Sequence, residues 1–251
     1  MARAAVLERL TWQVATVVAM HDETATARTL RLRVPGWAGH AAGQHVDVRL
    51  TAPDGYQAAR SYSIASAPSP DEFEITVQRL PDGEVSSYLA IGLQVGQQLE
   101  LRGPLGGWFV WHPDQAEPVQ LIGGGSGVVP LMSMLRARAS GGSAAPMRLL
   151  YSVRDPGAAL YAGELAELAA RGEDIAYAYT RAAPPGWPGT VGRLAPETLA
   201  AAAISPAQRP TCYVCGPTPF VESVADLLVR AGHDPRRVRA ERFGGAEGGI
   251  S

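Results

Sequence analysis

The sequence predicts two units in tandem: an all-β first half, barrel or sandwich, followed by an α/β second half built on a parallel sheet. Three observations carry this reading. Between Trp12 and Arg102 the chain breaks into short runs rich in β-branched and aromatic residues, punctuated by Gly, Pro and Asp. Beyond Pro118, strand-length apolar runs alternate with segments of helical periodicity. The length of 251 residues exceeds a typical single core and suits two of about 100 to 150 residues each. The change of periodicity divides the chain into residues 1–113 and 114–251.

Composition narrows the function classes. Apolar residues make up 46% and charged residues 18%, which suits a globular chain and not a disordered one. Lys and Arg total 22 against 24 acidic residues, with no basic stripe interleaved with aromatics, so no nucleic-acid partner is expected. No apolar run reaches the roughly 18 residues of a spanning helix, and the opening MARAAVLERL has no signal-like apolar core. The expectation is a cytoplasmic enzyme with no membrane attachment. The two cysteines, Cys212 and Cys215, lack the further ligands a zinc or iron–sulfur site needs, so no metal is expected. Three positions apart on a strand, they point to opposite faces, so one thiol is expected in the core and the other outside it. The five histidines stand at no ligand spacing and are expected to be solvated.

In chain order, the first-half strands are expected at 12–19, 28–34, 45–50, 59–65, 73–79 and 97–102, joined by turns such as Pro35-Gly36, Asp54-Gly55 and Pro81-Asp82-Gly83. The strand at 59–65 holds Arg60, Ser61, Tyr62 and Ser63. Alternation puts Arg60 and Tyr62 on one face and Ser61 and Ser63 on the other. A phosphorylated planar ligand lying across the strand end would meet a guanidinium, a phenol ring and a hydroxyl there, although a plain barrel strand with a surface arginine would read the same. A short helix over 85–91 follows Gly83, with Ser86 and Ser87 in its first turn. Unpaired N–H groups at its start would suit a pyrophosphate, or the helix would only close the barrel.

In the second half, strands at 119–122, 147–152, 175–180, 212–215 and 238–241 alternate with helices at 128–139, 162–171, 196–203 and 220–231. The first strand runs into Gly123, Gly124, Gly125, Ser126 and Gly127 before a helix. Such a turn lets backbone approach a diphosphate at a helix N-terminus, but the spacing departs from the usual dinucleotide fingerprint. Arg154 ends the second strand beside Asp155, Thr180-Arg181 ends the third, and Arg193 follows. Arginine forks suit a 2'-phosphate, whereas an acidic acceptor suits a free 2'-hydroxyl. At roughly 1.5 to 3 kcal/mol per charge-assisted bond, one or two such contacts favour NADPH over NADH.

These motifs in this order, completed by Cys215-Gly216-Pro217, resemble the ferredoxin–NADP reductase superfamily over about residues 12–245. The resemblance implies a six-stranded antiparallel FAD barrel followed by a five-stranded parallel nucleotide sheet. It implies that Arg60 meets the flavin diphosphate, Tyr62 packs on the flavin ring and Ser63 bonds near flavin N5. Val77, Gln78 and Arg79 would flank the ribityl chain, and Gly83, Val85 and Ser86 would form the diphosphate turn. Gly124, Gly125, Ser126 and Gly127 would hold the nicotinamide-nucleotide diphosphate, with Arg154, Thr180, Arg181 and Arg193 at the 2'-phosphate. Cys215, Gly216 and Pro217 would bring a thiol beside the nicotinamide, Glu241 would frame the same pose, and Phe243 would cover the other flavin face. Ser63, Cys215 and Glu241 are thus the expected catalytic set.

Three departures from the family pattern stand out. The segment 80–83 is too short to supply an adenine-stacking aromatic, the chain continues past its aromatic to Ser251, and no cysteine-rich cluster module is present. The expected activity is transfer of electrons from NADPH (or NADH) through FAD to a separate acceptor such as a ferredoxin, by a monomer. A ferredoxin would need a basic rim, for which the candidates Arg3, Arg9, Arg28, Arg31 and Arg33 are few and read equally as partly solvated bystanders. Reduction of free flavin or ferric chelates, or service as a cluster-free electron-transfer subunit, are the alternatives.

Overall fold

The structure, a computed structural model, describes residues 10–244. Six strands, β1 (Gln13–Thr24), β2 (Ala27–Arg33), β3 (His45–Thr51), β4 (Gln57–Ser63), β5 (Glu72–Gln78) and β6 (Gln98–Leu105), form one sheet in the order β4-β3-β6-β1-β2-β5. Every pairing in it is antiparallel. Alternate residues such as Val17, Leu30, Val46, Phe73 and Leu101 fill the interior. The end strands meet at a bridge between Ile64 and Ile75, beside which Ala65 N–H donates to the Glu74 carbonyl at 2.7 Å. A single rolled sheet resolves the choice between barrel and sandwich. Helix α1 (Glu84–Ser87) continues as one wider turn over Tyr88–Gly92.

The second sheet is parallel, with β7 (Val119–Gly124), β8 (Met147–Val153), β9 (Asp174–Tyr179), β10 (Thr211–Pro217) and β11 (Val238–Phe243) in the order β11-β10-β7-β8-β9. Helices α2 (Val128–Gly141), α3 (Ala162–Ala170), α4 (Pro196–Ala202) and α5 (Thr218–Arg230) connect the strands. The central strand β7 is buried throughout, which is why its sequence is a continuous apolar run and not an alternation. Its one polar side chain, Gln120, is satisfied: its oxygen accepts from Ile204 N–H at 2.8 Å and its nitrogen donates to the Leu121 carbonyl at 3.2 Å.

Two sequence expectations are corrected here. Cys212 and Cys215 do lie on opposite faces of β10, but both are buried. A parallel sheet carries helices on both faces, so opposite faces are two cores and not a core and a surface. His233 is also buried, with Nδ1 3.7 Å from Cys212 Sγ, and His40 and His45 are half-buried, so only His21 and His112 are exposed.

The two sheets are joined by a polar junction. Arg136 on α2 donates to Glu164 on α3 from Nε at 2.8 Å and from Nη2 at 2.5 Å, to the Ala65 carbonyl at 3.0 Å and to Glu74 of β5 at 3.3 Å. Its guanidinium also lies 5.0 Å from the Tyr161 ring centroid. Tyr161, in left-handed backbone at φ 55°, is held from the barrel twice. Its hydroxyl pairs with Thr76 of β5, and its N–H donates to Glu23 of β1 at 3.1 Å. Removing one member of a buried charge cluster leaves the others uncompensated. Arg136→Met is therefore expected to lower the free energy of unfolding by about 3 kcal/mol in chemical denaturation.

Candidate active site

The barrel presents an opening where β4 and β5 part. Both are end strands, and away from the Ile64–Ile75 bridge one edge of each lacks a strand partner. Arg60, Tyr62 and Ser63 stand on one edge, Val77, Gln78 and Arg79 on or just past the other, and α1 packs against β4 nearby. Arg60 is exposed and donates to the Ala59 carbonyl at 2.7 Å, with no ion pair among the described residues. Tyr62 packs partly into the barrel core, and burial pushes its phenol up to about 12, against a small opposing effect of Arg60. It remains a neutral, flat ring at neutral pH. At the helix start, Ser86 is buried with its hydroxyl committed to the turn, donating to the Gly83 carbonyl and accepting from Leu80 N–H, each at 3.2 Å. The hydroxyl thus shapes the turn, and the first-turn backbone N–H groups remain the donors available to a diphosphate.

The opposite face of β4 is tied down. Ser61 donates to Asp47 of β3 at 2.6 Å, and Arg102 of β6 donates to the same carboxylate at 2.7 Å. Burial raises the Asp47 carboxyl, but the Ser61 and Arg102 bonds outweigh it and hold the group below the ordinary aspartate value. One residue pair further along, Ser63 stands directly opposite His45, and paired residues share a face. His45 reaches out of the barrel, its Nδ1 3.5 Å from Oε1 of Glu241 on β11. Glu241 in turn is directly opposite Cys215 on β10. The three expected catalytic residues therefore lie along one path, Ser63 to His45 to Glu241 to Cys215, across the seam between barrel and parallel sheet. Cys215 is 1% exposed, and burial first, then the neighbouring Glu241 charge, pushes its thiol well above the ordinary value. It persists as S–H, a packing and weak hydrogen-bonding group. Phe243 follows at the exposed end of β11, opposite Pro217.

At the end of β7, Gly125 takes φ 55° with open space where a Cβ would stand, so glycine serves conformation there. Gly127 serves proximity. A Cβ on it would lie 2.1 Å from the Cys215 carbonyl oxygen and 2.7 Å from Gly216 N. The Gly-rich loop and the Cys215-Gly216-Pro217 turn are thus one structure, backed by Phe220 of α5, which lies close to both Gly124 and Gly216. Phe220 was missed from sequence, where its place three residues after Pro217 is the only sign.

The strand ends also gather the arginines. Arg181 N–H and Ala182 N–H donate to the Arg154 carbonyl at 2.9 and 3.1 Å, and Gly192 N–H donates to the Tyr179 carbonyl at 2.9 Å, bringing Arg193 back beside β9. Arg154, Arg181 and Arg193 have no ion-pair partner among the described residues. Asp155, the competing ribose ligand, instead accepts from Ala158 N–H at 3.1 Å and caps a short turn. The cradle and the uncompensated guanidinium groups fit a phosphorylated dinucleotide. By contrast, Arg28, Arg31 and Arg33 pair with Asp22, Glu74 and Glu72, so they form no free basic rim. Arg3 and Arg9 lie outside the described residues.

Two tests follow from this geometry. Asp47 is depressed in the folded state, so its contribution is complete above the unfolded carboxyl value near 4 and is lost as pH falls through the lower folded value. Asp47→Asn should cost about 1 to 2 kcal/mol at pH 7, and the gap to the parent protein should narrow in denaturation series run below about pH 4. Gly127→Ala places its methyl group against backbone that cannot rotate away, and is expected to cost about 2 to 3 kcal/mol and to abolish dinucleotide binding in the same preparations.

Residues 15–110 match the family model "Oxidoreductase FAD-binding domain", and residues 121–226 match "Oxidoreductase NAD-binding domain". The chain is 36% identical over 208 residues to the glycine betaine monooxygenase reductase subunit of Chromohalobacter salexigens, covering 80% of this chain and 55% of that protein. It is 31% identical over 239 residues to the ferredoxin reductase component of 3-ketosteroid-9-alpha-monooxygenase from Rhodococcus rhodochrous, covering 93% and 65% respectively. The chain therefore spans between about half and two thirds of the length of these relatives. Among solved structures, the FAD/NAD binding domain of nitric oxide dioxygenase from Vibrio cholerae O1 biovar El Tor is similar at TM-score 0.81 and 26% identity, covering 93% of this chain and 99% of that one. With an FAD-binding and an NAD-binding domain in this order, on a rolled antiparallel sheet and a parallel one, the chain belongs to the ferredoxin–NADP reductase superfamily.

Proposed function

We propose that this chain is a reductase that takes a hydride from NADPH and passes electrons through FAD to a separate protein, a ferredoxin or the redox centre of an oxygenase. The observation that carries the proposal is the convergence of Ser63, Glu241 and Cys215 on one seam, between a barrel opening that fits a flavin and a glycine cradle that fits a dinucleotide. Relatives named as reductase components of monooxygenases support the choice of acceptor. The reading includes a division of the chain near residues 113 and 114, a monomeric state and a cytoplasmic location. Among the described residues, no helix is long and apolar enough to cross a membrane.

The bound flavin supplies the ring that accepts a hydride and gives up electrons singly. The chain supplies placement. In this reading Arg60 and the turn at Gly83, Val85 and Ser86 oppose the flavin diphosphate charge, while Val77, Gln78 and Arg79 run beside its chain. Tyr62 offers a neutral ring for packing, and Ser63 a hydroxyl for the reactive edge. The seam formed by Gly124, Gly125, Ser126, Gly127, Cys215, Gly216 and Pro217 admits the dinucleotide backbone, and Arg154, Thr180, Arg181 and Arg193 hold its 2'-phosphate. Phe243 stands where a ring must give way before nicotinamide can lie flat in a reactive pose.

The test is an anaerobic titration of the protein as isolated, with NADPH and then NADH, following the visible flavin band and identifying the flavin released. Bleaching at lower NADPH than NADH is expected. Arg181→Ala and Arg154→Ala should each raise the NADPH requirement by about tenfold or more while leaving that for NADH nearly unchanged. Bound FAD that neither nucleotide reduces would overturn the reading, and turnover of free flavin without any protein acceptor would replace it with the flavin-reductase alternative.

A further inference from the structure

We infer that His45 is a positioning residue for Glu241, a barrel side chain that sets the carboxylate of the parallel sheet's last strand in register with Ser63. The inference rests on the reductase reading for its kinetic consequence but not for its geometry. His45 is the first residue of β3, paired with Ser63 on one side and Leu105 on the other. The backbone leaves room for its ring at Gly106, where a Cβ would stand 3.4 Å from Nδ1. Across the seam, Glu241 stands beside Cys215 and extends its carboxylate to Nδ1 at 3.5 Å.

His45 Nδ1 and Glu241 Oε2 are both buried and make no hydrogen bond among the described residues, and the 3.5 Å approach of Nδ1 to Oε1 is an ion-pair contact. A buried ring nitrogen or carboxylate oxygen left unpaired is costly, which favours closing the 3.5 Å gap from Nδ1 to the carboxylate into a hydrogen bond. Asp47, the nearest other carboxylate on β3, is already committed to Ser61 and Arg102 and does not compete for the ring. The contact also joins two strands that otherwise belong to different sheets, so it relates the position of Ser63 to that of Cys215 directly. Misplacement by about 1 Å at a hydride-transfer geometry is enough to cost on the order of a hundredfold in rate. Histidine at this position would therefore act on the rate of reduction more than on the affinity for nucleotide.

The experiment uses His45→Asn, His45→Gln and His45→Leu, alone and with Glu241→Gln, in the full-length protein as isolated. Asparagine places an amide N–H where Nδ1 stands, whereas glutamine places it where Nε2 stands and leucine supplies none. Two readouts are taken: the rate of flavin reduction at saturating NADPH against the NADPH dissociation constant, and amide hydrogen exchange of β11. His45→Leu and His45→Gln are expected to slow reduction by about tenfold or more, to change the dissociation constant by less than about threefold, and to speed exchange at Glu241, Arg242 and Phe243. His45→Asn should stay within about threefold of the parent on both readouts, and His45→Leu should add less than about twofold once Glu241→Gln is present.

If His45→Asn behaves like His45→Leu, the ring and not Nδ1 is what matters and the inference is overturned. It is also overturned if the His45 and Glu241 effects multiply independently, or if His45→Leu changes nothing. Should His45→Leu prove too unstable to study, the contrast of Asn with Gln decides alone. If the parent protein is reduced by neither nucleotide, the reductase reading fails while hydrogen exchange still decides the pairing.

Discussion

The junction through Arg136 and Tyr161 is the constraint on which the rest of the molecule depends. Neither sheet contains the whole site: the barrel holds Arg60, Tyr62 and Ser63, and the parallel sheet holds the glycine loop, Cys215 and Glu241. Their relation is fixed only where the two units touch. That contact has an apolar part, in which Ala42, Ala65 and Phe109 share one core with α2, and a directional polar part, with one guanidinium reaching two carboxylates and a carbonyl, and one tyrosine gripped through both its hydroxyl and its amide. An apolar interface of equal area would hold the units together but would permit sliding. Directional bonds set an angle, and the strained left-handed backbone of Tyr161 is tolerated because two barrel strands hold it. Glu74 belongs to β5, the strand that borders the barrel opening, so the junction and the opening share one element.

Much of the architecture was legible in the sequence because its causes are local. The alternating first half and the continuous apolar runs of the second half give the two sheet types directly, and the turn from β7 into α2 falls where the glycines require it. What was illegible depends on pairing across the chain. His45 looked like a solvated histidine because nothing near it in sequence shows that β4 places Ser63 opposite it, or that β11 arrives nearly two hundred residues later to meet its ring. One of the two thiols, Cys212 or Cys215, was expected outside the core because strand parity gives faces but not what covers them. Arg28, Arg31 and Arg33 looked like a basic rim because the carboxylates that neutralise them sit on neighbouring hairpin strands. Phe220 was passed over for the same reason: the glycines it backs lie on two different strands.

The distribution of arginine separates structure from ligand binding. All 22 basic residues are arginine, with no lysine in the chain. A guanidinium fork suits both a carboxylate and a phosphate bidentately, so residue type alone cannot say which role an arginine has. The structure can. On the barrel wall Arg49 pairs with Glu100 and Arg102 with Asp47, and both lie over the Trp12 ring. At the junction Arg136 pairs with Glu164 and Glu74, and within the parallel-sheet half Arg138 pairs with Glu173. The arginines without an ion-pair partner among the described residues include Arg60 and Arg79 at the barrel opening and Arg154, Arg181 and Arg193 near the ends of β8 and β9, together with Arg209, Arg237, Arg239 and Arg242 elsewhere.

That pattern bears on how the chain separates binding from chemistry. In the proposed reading, Arg60, Arg154, Arg181 and Arg193 stand where the phosphate groups of the two cofactors would lie. The seam between those places holds a phenol, a buried thiol that stays protonated, a hydroxyl and a histidine–glutamate contact, with Arg242 beside them on β11. Hydride transfer moves a proton and two electrons together, and fixed net charge beside the rings would favour one side of the exchange. In the proposed reading, phosphate contacts at Arg60, Arg154, Arg181 and Arg193 would supply binding energy for alignment at the seam. The alignment itself then rests on backbone proximity at Gly127 and on the side chains that cross from one sheet to the other.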